Sequence, residues 1–318
     1  MRFPLSWRLP ATWHFFRSDD RLLLIVAGAI VGICSGMAAV ALNQALIAAL
    51  GWLRPYRSYG WAFLLPAIGA ALSSLFLNKV MREGAGHGVP EVIYSVSRSG
   101  GLMRFRSSFS RLISSCLTIG SGGSAGPEAP IVMSGSAIGS NIARLLGLND
   151  RQRVALVGCG AAGAISAIFN APIAGLIFAM EVILGEWAAS NLIPIAIAAV
   201  AGTEISHLLQ GKQIPFSHHD FNITSVDIVA CIGLAFFTAL ASIMLTRTIR
   251  AVHHQANGIQ LPSWLKAACG GCAVGLIGLY LPMVLGEGYH AIREMMEGQF
   301  TPGISLVFLA LLAKIIAT

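Results

Sequence analysis

The sequence predicts an all-α membrane protein with many helices, several of them tilted or broken. Hydrophobic residues make up 55% of the 318 residues and charged residues only 11%, whereas soluble domains carry about 25% charged residues. Several apolar runs reach the roughly 20 residues that a spanning helix needs. The main runs cover residues 22–53, 61–80, 154–184, 192–201, 228–245 and 264–285. Shorter runs and runs cut by glycine or proline predict re-entrant or discontinuous helices.

The basic residues that give the net charge of +7 lie between apolar runs. This placement indicates cytoplasmic loops and lipid headgroups, and nucleic acid is not an expected partner. Four arginines precede the first long apolar run, so the N-terminus is predicted to lie in the cytoplasm. Residues 1–20 mix tryptophan and phenylalanine with basic groups, as an interfacial segment does.

The first two helices are predicted over residues 22–53 and 61–81, joined by a short loop. This loop, residues 54–60, is rich in aromatic residues and resembles an aromatic belt at a membrane face. Further along, Asn149 or Asp150 is the expected N-cap of a helix that continues to Phe169. The glycines and alanines of that helix predict that another helix packs tightly against it.

Residues 120–130 form a glycine- and proline-rich break that contains a single carboxylate, Glu128. Apolar segments flank the break, over 109–119 and 131–148. An acid at membrane depth is a functional-site hypothesis by default, and broken helices are tolerated there where they line a cavity. Because amides exposed at a helix start attract anions, we predict an anion site in which Glu128 can take the place of the anion.

A second glycine-rich turn, residues 84–91, has Pro90 and Glu91 where a helix is expected to start. It is either an ordinary surface turn or, together with the break, an anion-facing loop. A basic cluster follows, formed by Arg98, Arg104, Arg106 and Arg111. A solvated cytoplasmic connection near lipid phosphates is favoured over an anion funnel for these arginines.

Weak internal sequence similarity predicts inverted-topology repeats, since residues 86–90 (GHGVP) resemble residues 286–290 (GEGYH). The predicted division is an N-terminal segment (1–20), a first repeat (21–210), a linker (211–225) and a second repeat (226–318). The counterpart of Glu128 in the second repeat would fall beyond Thr318. We therefore expect the second repeat to be incomplete.

Cysteine and histidine patterns give little sign of metal or redox chemistry. Cys269 and Cys272 form a CxxC pair inside an apolar run, where packing is favoured over redox or metal chemistry. Metal binding is conceivable for His207, His218, His219 and Asp220, but a solvated loop between two halves is favoured. No metal and no cofactor other than bound chloride ions is predicted.

Four motifs in order resemble those of the CLC family of chloride channels and chloride/proton antiporters. Residues 86–90 (GHGVP) resemble the GSGIP loop of the family, and residues 126–130 (GPEAP) resemble its GREGP or GKEGP motif. Residues 170–175 (NAPIAG), followed by Phe178 and Glu181, resemble the NAPLAG segment. Residues 286–289 resemble the GxGY motif of the second half.

This resemblance implies the fold and the site. It implies a CLC-like homodimer in a bilayer, in the plasma (inner) membrane of a prokaryote, with one chloride pathway in each subunit. Glu128 falls on the gating glutamate, whose carboxylate blocks the outer site until it is protonated or displaced. The implied anion-binding positions are Gly86, His87, Gly88, Val89, Gly126, Pro127, Ala129, Pro130 and Ile131.

Three departures from the family pattern limit what this resemblance implies. His87 stands where the family usually has a serine that contacts the central anion; either its ring N–H binds the anion or the ring turns away. Val182, beside Glu181, stands at the proton-relay glutamate of the exchangers, and valine cannot pass a proton. The downstream GxFxP segment and the tyrosine that completes the central site are absent from the sequence.

The predicted function is therefore passage of chloride, and of other small anions, through a channel gated by Glu128. The alternative within the family is a chloride/proton antiporter. An intramembrane enzyme is a distant alternative from another class, because no nucleophile stands beside a base. Residues 120–126 also lack the GK[ST] of a nucleotide-binding loop, and we predict no enzymatic activity.

Overall fold

A computed structural model describes residues 20–84, 88–211, 224–297 and 303–318. Every regular element in these ranges is helical, which confirms the predicted all-α fold. Six of the helices are long and apolar enough to cross a bilayer. By their bounds they are Arg21–Arg57, Leu64–Met81, Asp150–Phe169, Ala189–Gln210, Val226–Gly258 and Ser263–Tyr280.

The described ranges contain twelve α-helices in this order. The first six are α1 (Asp20–Leu53), α2 (Leu64–Leu75), α3 (Val89–Ser99), α4 (Ser107–Gly120), α5 (Glu128–Leu145) and α6 (Asp150–Phe169). The next six are α7 (Pro172–Phe178), α8 (Ala189–Gln210), α9 (Ser225–Gly258), α10 (Ser263–Tyr280), α11 (Tyr289–Met296) and α12 (Ile304–Ala317). π-Helical segments, Phe76–Met81 and Ala179–Leu184, extend α2 and α7.

Two compact units interleave along the described chain. The first unit contains residues 20–41, 88–109 and 128–211, and the second contains residues 42–84, 110–127 and the described residues from 224 onward. The predicted division into sequential repeats at residue 210 stays a prediction.

Within the first unit, α1 packs on α8 through three glycines spaced four residues apart. A Cβ added at Gly28, Gly32 or Gly36 would lie 2.9, 2.4 and 2.9 Å from backbone atoms of Pro194, Ala198 and Gly202. The partner residues are also four apart, so one small-residue face meets another over two turns. Such close approach is how membrane helices gain packing energy where lipid offers no hydrophobic driving force.

Replacing Gly32 with leucine is expected to lower the free energy of unfolding of the purified protein by about 3 kcal/mol, the upper end of the usual cost of overpacking. The new side chain would begin 2.4 Å from the carbonyl oxygen of Ala198 and force α1 away from α8. Thermal unfolding in detergent measures the effect. Gly51→Leu is the matched control, since Gly51 lies in the same helix and a Cβ there meets nothing within 4 Å. Equal melting temperatures for the two variants would contradict the packing argument.

Within the second unit, α2 packs on α10 by the same means. A Cβ at Gly271 would lie 2.5 Å from the carbonyl oxygen of Pro66, and one at Gly275 would lie 2.0 Å from that of Phe63. The hydroxyls of Ser73 and Ser114 share a hydrogen bond of 2.7 Å between α2 and α4. Small and hydroxyl-bearing side chains thus hold this unit together as well.

Two local predictions are confirmed with adjusted bounds. Asn149 is the N-cap of α6: its side chain accepts from the Gln152 amide at 3.0 Å, and the Gln152 side chain accepts from the Asn149 amide at 3.1 Å. The helix predicted from residue 61 begins at Leu64, because the residues before it form hydrogen-bonded turns. The aromatic rings after α1 cluster as expected, with Tyr59 and Trp61 stacked at 6.0 Å between centroids.

Candidate functional site

The predicted break separates α4, which ends at Gly120, from α5, which begins at Glu128. The amides of Gly122 and Gly123 each donate at 2.9 Å to carbonyl oxygens of the last turn of α4, those of Ile119 and Thr118. Gly122 has φ 108°, a backbone conformation that favours glycine. These glycines therefore end α4 in a tight turn, and α5 begins five residues after Gly123.

Glu128 is the first residue of α5, and its side chain is half-buried. The first amides of a helix have no partner within the helix and carry the positive end of its dipole. A carboxylate at this position is stabilised by that potential, and an anion would be stabilised in the same way. The predicted acid therefore lies at the start of an 18-residue helix. The helix enters the protein core directly after Pro130, since Ile131, Val132 and Met133 are buried.

A second helix start lies beside this one within the first unit. Gly88 is the N-cap of α3 with φ 65° and ψ −111°, and a Cβ added to it would lie 2.8 Å from the Cβ of Ala129. Val92 of α3 and Val132 of α5 belong to the same fully buried core cluster. Two positive helix ends therefore converge, which is a favourable arrangement for an anion.

The other predicted site residues divide into three groups. Val89, Pro130 and Ile131 lie in the first turns of α3 and α5, and Ile131 is only 1% exposed. Gly126 and Pro127 belong to the turn before α5; Pro127 is buried and Gly126 is exposed. Gly86 and His87 lie outside the described residues, so the two orientations proposed for His87 stay predictions.

Ser140 is a supporting residue that the sequence reasoning missed. Its hydroxyl donates to the Gly101 carbonyl at 2.6 Å and accepts from the Met103 amide at 2.9 Å, and the residue is fully buried. These bonds tie α5 to the loop that leads away from α3. The sequence does contain an indication of such a role, because α5 has serines among its apolar residues. A buried hydroxyl needs a hydrogen-bond partner, so serines in an apolar helix are candidates for contacts with neighbouring segments.

Glu181 and Val182 lie in the π-helical segment that extends α7, and both are exposed. Their neighbour Ile183 is 1% exposed and belongs to the core cluster that includes Val92 and Val132. Through Ile183, the segment therefore packs into the same core cluster as α3 and α5. Π-helical turns are frequent at functional sites, and this one lies at the predicted relay position.

His207 does not belong to a solvated linker, as the sequence reasoning had placed it. It lies in α8, because that helix continues to Gln210, and its Nε2 hydrogen bonds with the side-chain oxygen of Asn170. Asn170 ends α6 in the left-handed conformation, with φ 54°. His218, His219 and Asp220 lie outside the described residues, and among the described ones no three His, Cys, Asp or Glu side chains group as a metal site.

The prediction that Arg111 lies in a solvated connection is wrong. Arg98, Arg104 and Arg106 are exposed, but Arg111 is 9% exposed and donates through Nη2 to the Gly84 carbonyl at 3.1 Å. The physical reason is that α4 begins at Ser107, and Arg111 then lies on the same buried face of the helix as Ser114 and Ser115, three and four residues further on. Cys269 and Cys272 lie in α10 as free thiols, with Cys269 exposed and Cys272 half-buried.

Comparison with known proteins identifies the family of the chain. The family model described as voltage gated chloride channel matches residues 69–318. A putative ClcB-like chloride channel protein of Ralstonia nicotianae is 27% identical over 312 residues, covering 93% of this chain and 72% of that protein. An uncharacterized protein of Methanocaldococcus jannaschii is 33% identical over 264 residues, 80% of this chain and 64% of that protein.

Solved structures share the fold. The crystal structure of a slow cyanobacterial Cl⁻/H⁺ antiporter superimposes with a TM-score of 0.74 at 20% identity, over 94% of this chain and 73% of that one. A CLC-type fluoride/proton antiporter gives a TM-score of 0.78 at 21% identity, over 93% and 74% of the two chains. At these identities the likeness to the solved structures establishes the fold alone. The chain spans between 64% and 74% of the length of the four proteins compared above.

Proposed function

Since the chain belongs to the voltage-gated chloride channel (CLC) family of integral multi-pass membrane proteins, we propose that it carries chloride across the membrane along a pathway gated by Glu128. The observation that supports this most directly is the meeting of two helix starts, with Gly88 against Ala129 and Glu128 as the neighbouring residue. An anion there gains from both helix dipoles, and partial charges of this kind hold an ion weakly enough for it to leave.

Glu128 is proposed as the gate because its carboxylate can occupy the place that a chloride ion would take. The backbone N–H groups of Gly88, Val89, Ala129 and Ile131, at the starts of α3 and α5, are the proposed ligands; Pro130 has no N–H to donate. Protonation of the carboxylate, or displacement by an incoming anion, would then open the pathway. His87 is proposed to add a ring donor to this site, which would make anion selectivity depend on its protonation.

Passive conduction is the proposed mode of transport, with chloride/proton antiport as the second candidate. Val182 supports conduction, because it stands at the relay position and has no titratable group. Glu181 favours the second candidate, because it places a titratable carboxylate directly beside the relay position in the same π-helical segment. The two solved structures compared above are described as antiporters.

The proposed assembly is a homodimer in the plasma membrane of a prokaryote, with chloride and lipid as partners and no nucleic acid or cofactor. The bacterial and archaeal relatives support the location. The cytoplasmic position of the N-terminus rests on the arginines before α1. No enzymatic activity is proposed.

Liposome flux decides between the two modes of transport. The full-length protein is reconstituted in chloride-loaded liposomes, and chloride efflux and external pH are followed together after valinomycin releases the counter-charge. We expect chloride efflux without coupled proton movement, because Val182 interrupts the relay. Empty liposomes and liposomes without valinomycin are the controls.

Uphill proton movement in fixed ratio to chloride would overturn the channel proposal and establish the antiporter. In that case Glu181→Gln should uncouple protons from chloride, whereas Glu186→Gln, an exposed acid two residues beyond the π-helical segment, should not. Absence of any chloride efflux above the empty liposomes would overturn chloride transport itself.

A further inference from the structure

The second unit contains a groove whose lining is almost entirely apolar. Its volume is about 420 Å³, and it lies between the end of α1, the helix α2 and the last turns of α4. Pockets that hold a small organic ligand usually measure about 300–1,000 Å³. Leu65, Ile68 and Leu72 line the groove from α2, and Cys116 and Leu117 line it from α4. A lining of this kind has few partners for a polar ligand and suits a hydrocarbon chain.

The groove is formed by the packing of the helices themselves. Gly69 of α2 lies so close to α4 that an added Cβ would clash with the carbonyl oxygen of Leu117. A Cβ added at Gly120 would lie 2.8 Å from the Cβ of Ala49, near the end of α1. These contacts fix the three helices relative to one another, so the groove is preformed.

Aromatic rings stand at one end of the groove. Trp52, Tyr56 and Trp61 all line it, and the ring of Tyr56 lies 6.1 Å from each of the other two between centroids. Tryptophan and tyrosine concentrate at the level of the lipid headgroups, because their rings are apolar and carry one polar group. From Leu65 to Leu72 the groove follows α2 for about 10 Å away from these rings. Its far end therefore lies at the depth of the acyl chains.

Two arginines accompany the aromatic end of the groove. Arg54 and Arg57 lie with Tyr56 in one short 3₁₀ helix, and both are exposed. Arg57 reaches the turn after α4, since a Cβ added at Gly122 would lie 3.6 Å from its Nη2, and the preceding residue, Ser121, lines the groove. Among the described residues, neither guanidinium has an ion-pair partner. Their positive charge is therefore available to a phosphate at headgroup level.

We propose that this groove binds one acyl chain of an anionic phospholipid, with the lipid phosphate held by Arg57 and Arg54. Lipid tails are as apolar as the protein surface, so one particular lipid is retained through close packing and headgroup contacts. The preformed groove supplies the packing. The guanidiniums supply charge-assisted hydrogen bonds, which arginine can make to a phosphate in pairs. The proposal does not depend on anion transport.

The headgroup is tested with the full-length protein, freed of lipid in detergent and titrated with phosphatidylglycerol or with phosphatidylcholine of the same acyl chains. Native mass spectrometry measures the affinity for the first lipid bound. The wild type should prefer phosphatidylglycerol. Arg57→Gln should bind phosphatidylglycerol roughly fivefold more weakly and phosphatidylcholine as before, whereas Arg57→Lys should keep most of the preference. Arg104→Gln, which removes an exposed arginine of the first unit, should behave as the wild type does.

The groove is tested by filling it. Cys116→Phe places a ring in the groove and should abolish binding of phosphatidylglycerol, whereas Ile113→Phe, at an exposed position of α4 outside the groove, should not. Equal binding by these two variants overturns the assignment of the groove. Equal affinity of the wild type for the two lipids, or an unchanged preference in Arg57→Gln, overturns the anionic ligand. Because Arg57 is exposed, this last comparison holds even where Cys116→Phe fails to fold.

Discussion

Replacing Glu128 with glutamine is expected to abolish the pH dependence of chloride passage while passage itself continues. Glutamine has the shape of the protonated acid and never becomes an anion, so it cannot compete with chloride for the start of α5. Chloride efflux from liposomes is measured as external pH is lowered from about 7 to about 3.5, a range that includes the protonation of ordinary carboxylates. The wild type should speed up over this range, and the variant should show one rate throughout.

Glu186→Gln is the matched control for this experiment, because Glu186 is exposed and lies outside the anion site. It should keep the pH response of the wild type. A pH response in Glu128→Gln equal to that of the control would count against Glu128 as the gate. Loss of all passage in Glu128→Gln, with normal folding, would show that the carboxylate is needed for conduction rather than for closure.

Replacing Gly88 with alanine is expected to remove most chloride passage, because it separates the two helix starts. The added Cβ would lie 2.8 Å from the Cβ of Ala129, a distance at which one helix must move. The backbone at φ 65° and ψ −111° also strains any residue with a Cβ, at a cost of about 1–3 kcal/mol. Efflux from liposomes and thermal unfolding report the two consequences separately.

A double variant, Gly88→Ala with Ala129→Gly, identifies which consequence matters. It removes the clash between the two Cβ atoms and leaves the backbone strain. Recovery of chloride passage without recovery of the melting temperature would attribute the loss to the spacing of α3 and α5. Gly51→Ala is the control substitution, because its Cβ meets nothing within 4 Å. Normal passage in Gly88→Ala would contradict the proposed site.

Much of the candidate site could be predicted because its signals are local. Glycine and proline between two apolar segments indicate a broken helix, and the structure ends α4 at Gly120 and begins α5 at Glu128. Pro90 and the glycines before it indicated a second helix start, and Gly88 is its N-cap. Backbone preferences act over a few residues, so a single sequence is enough to reveal them.

The place of Arg111 could not be predicted in this way. Its neighbours Arg104 and Arg106 are exposed, and nothing in the local pattern distinguishes it from them. Burial depends on which face of α4 meets the rest of the second unit, and that is decided by contacts far away in sequence. The same holds for His207, whose partner Asn170 lies 37 residues earlier.

By itself, the sequence determined that this protein is a helical membrane protein. It also determined that a break lies between residues 120 and 130, and that Glu128 is the one acid in this break. Those properties follow from composition, from apolar length and from the residues that a backbone turn requires. Only the tertiary structure decided that the starts of α3 and α5 meet, that Ser140 and Arg111 are buried supports, and that Glu181 and Val182 face outward while Ile183 faces the core. The physical reason is that such contacts join residues tens of positions apart, and their energy depends on shape and burial that no local pattern specifies.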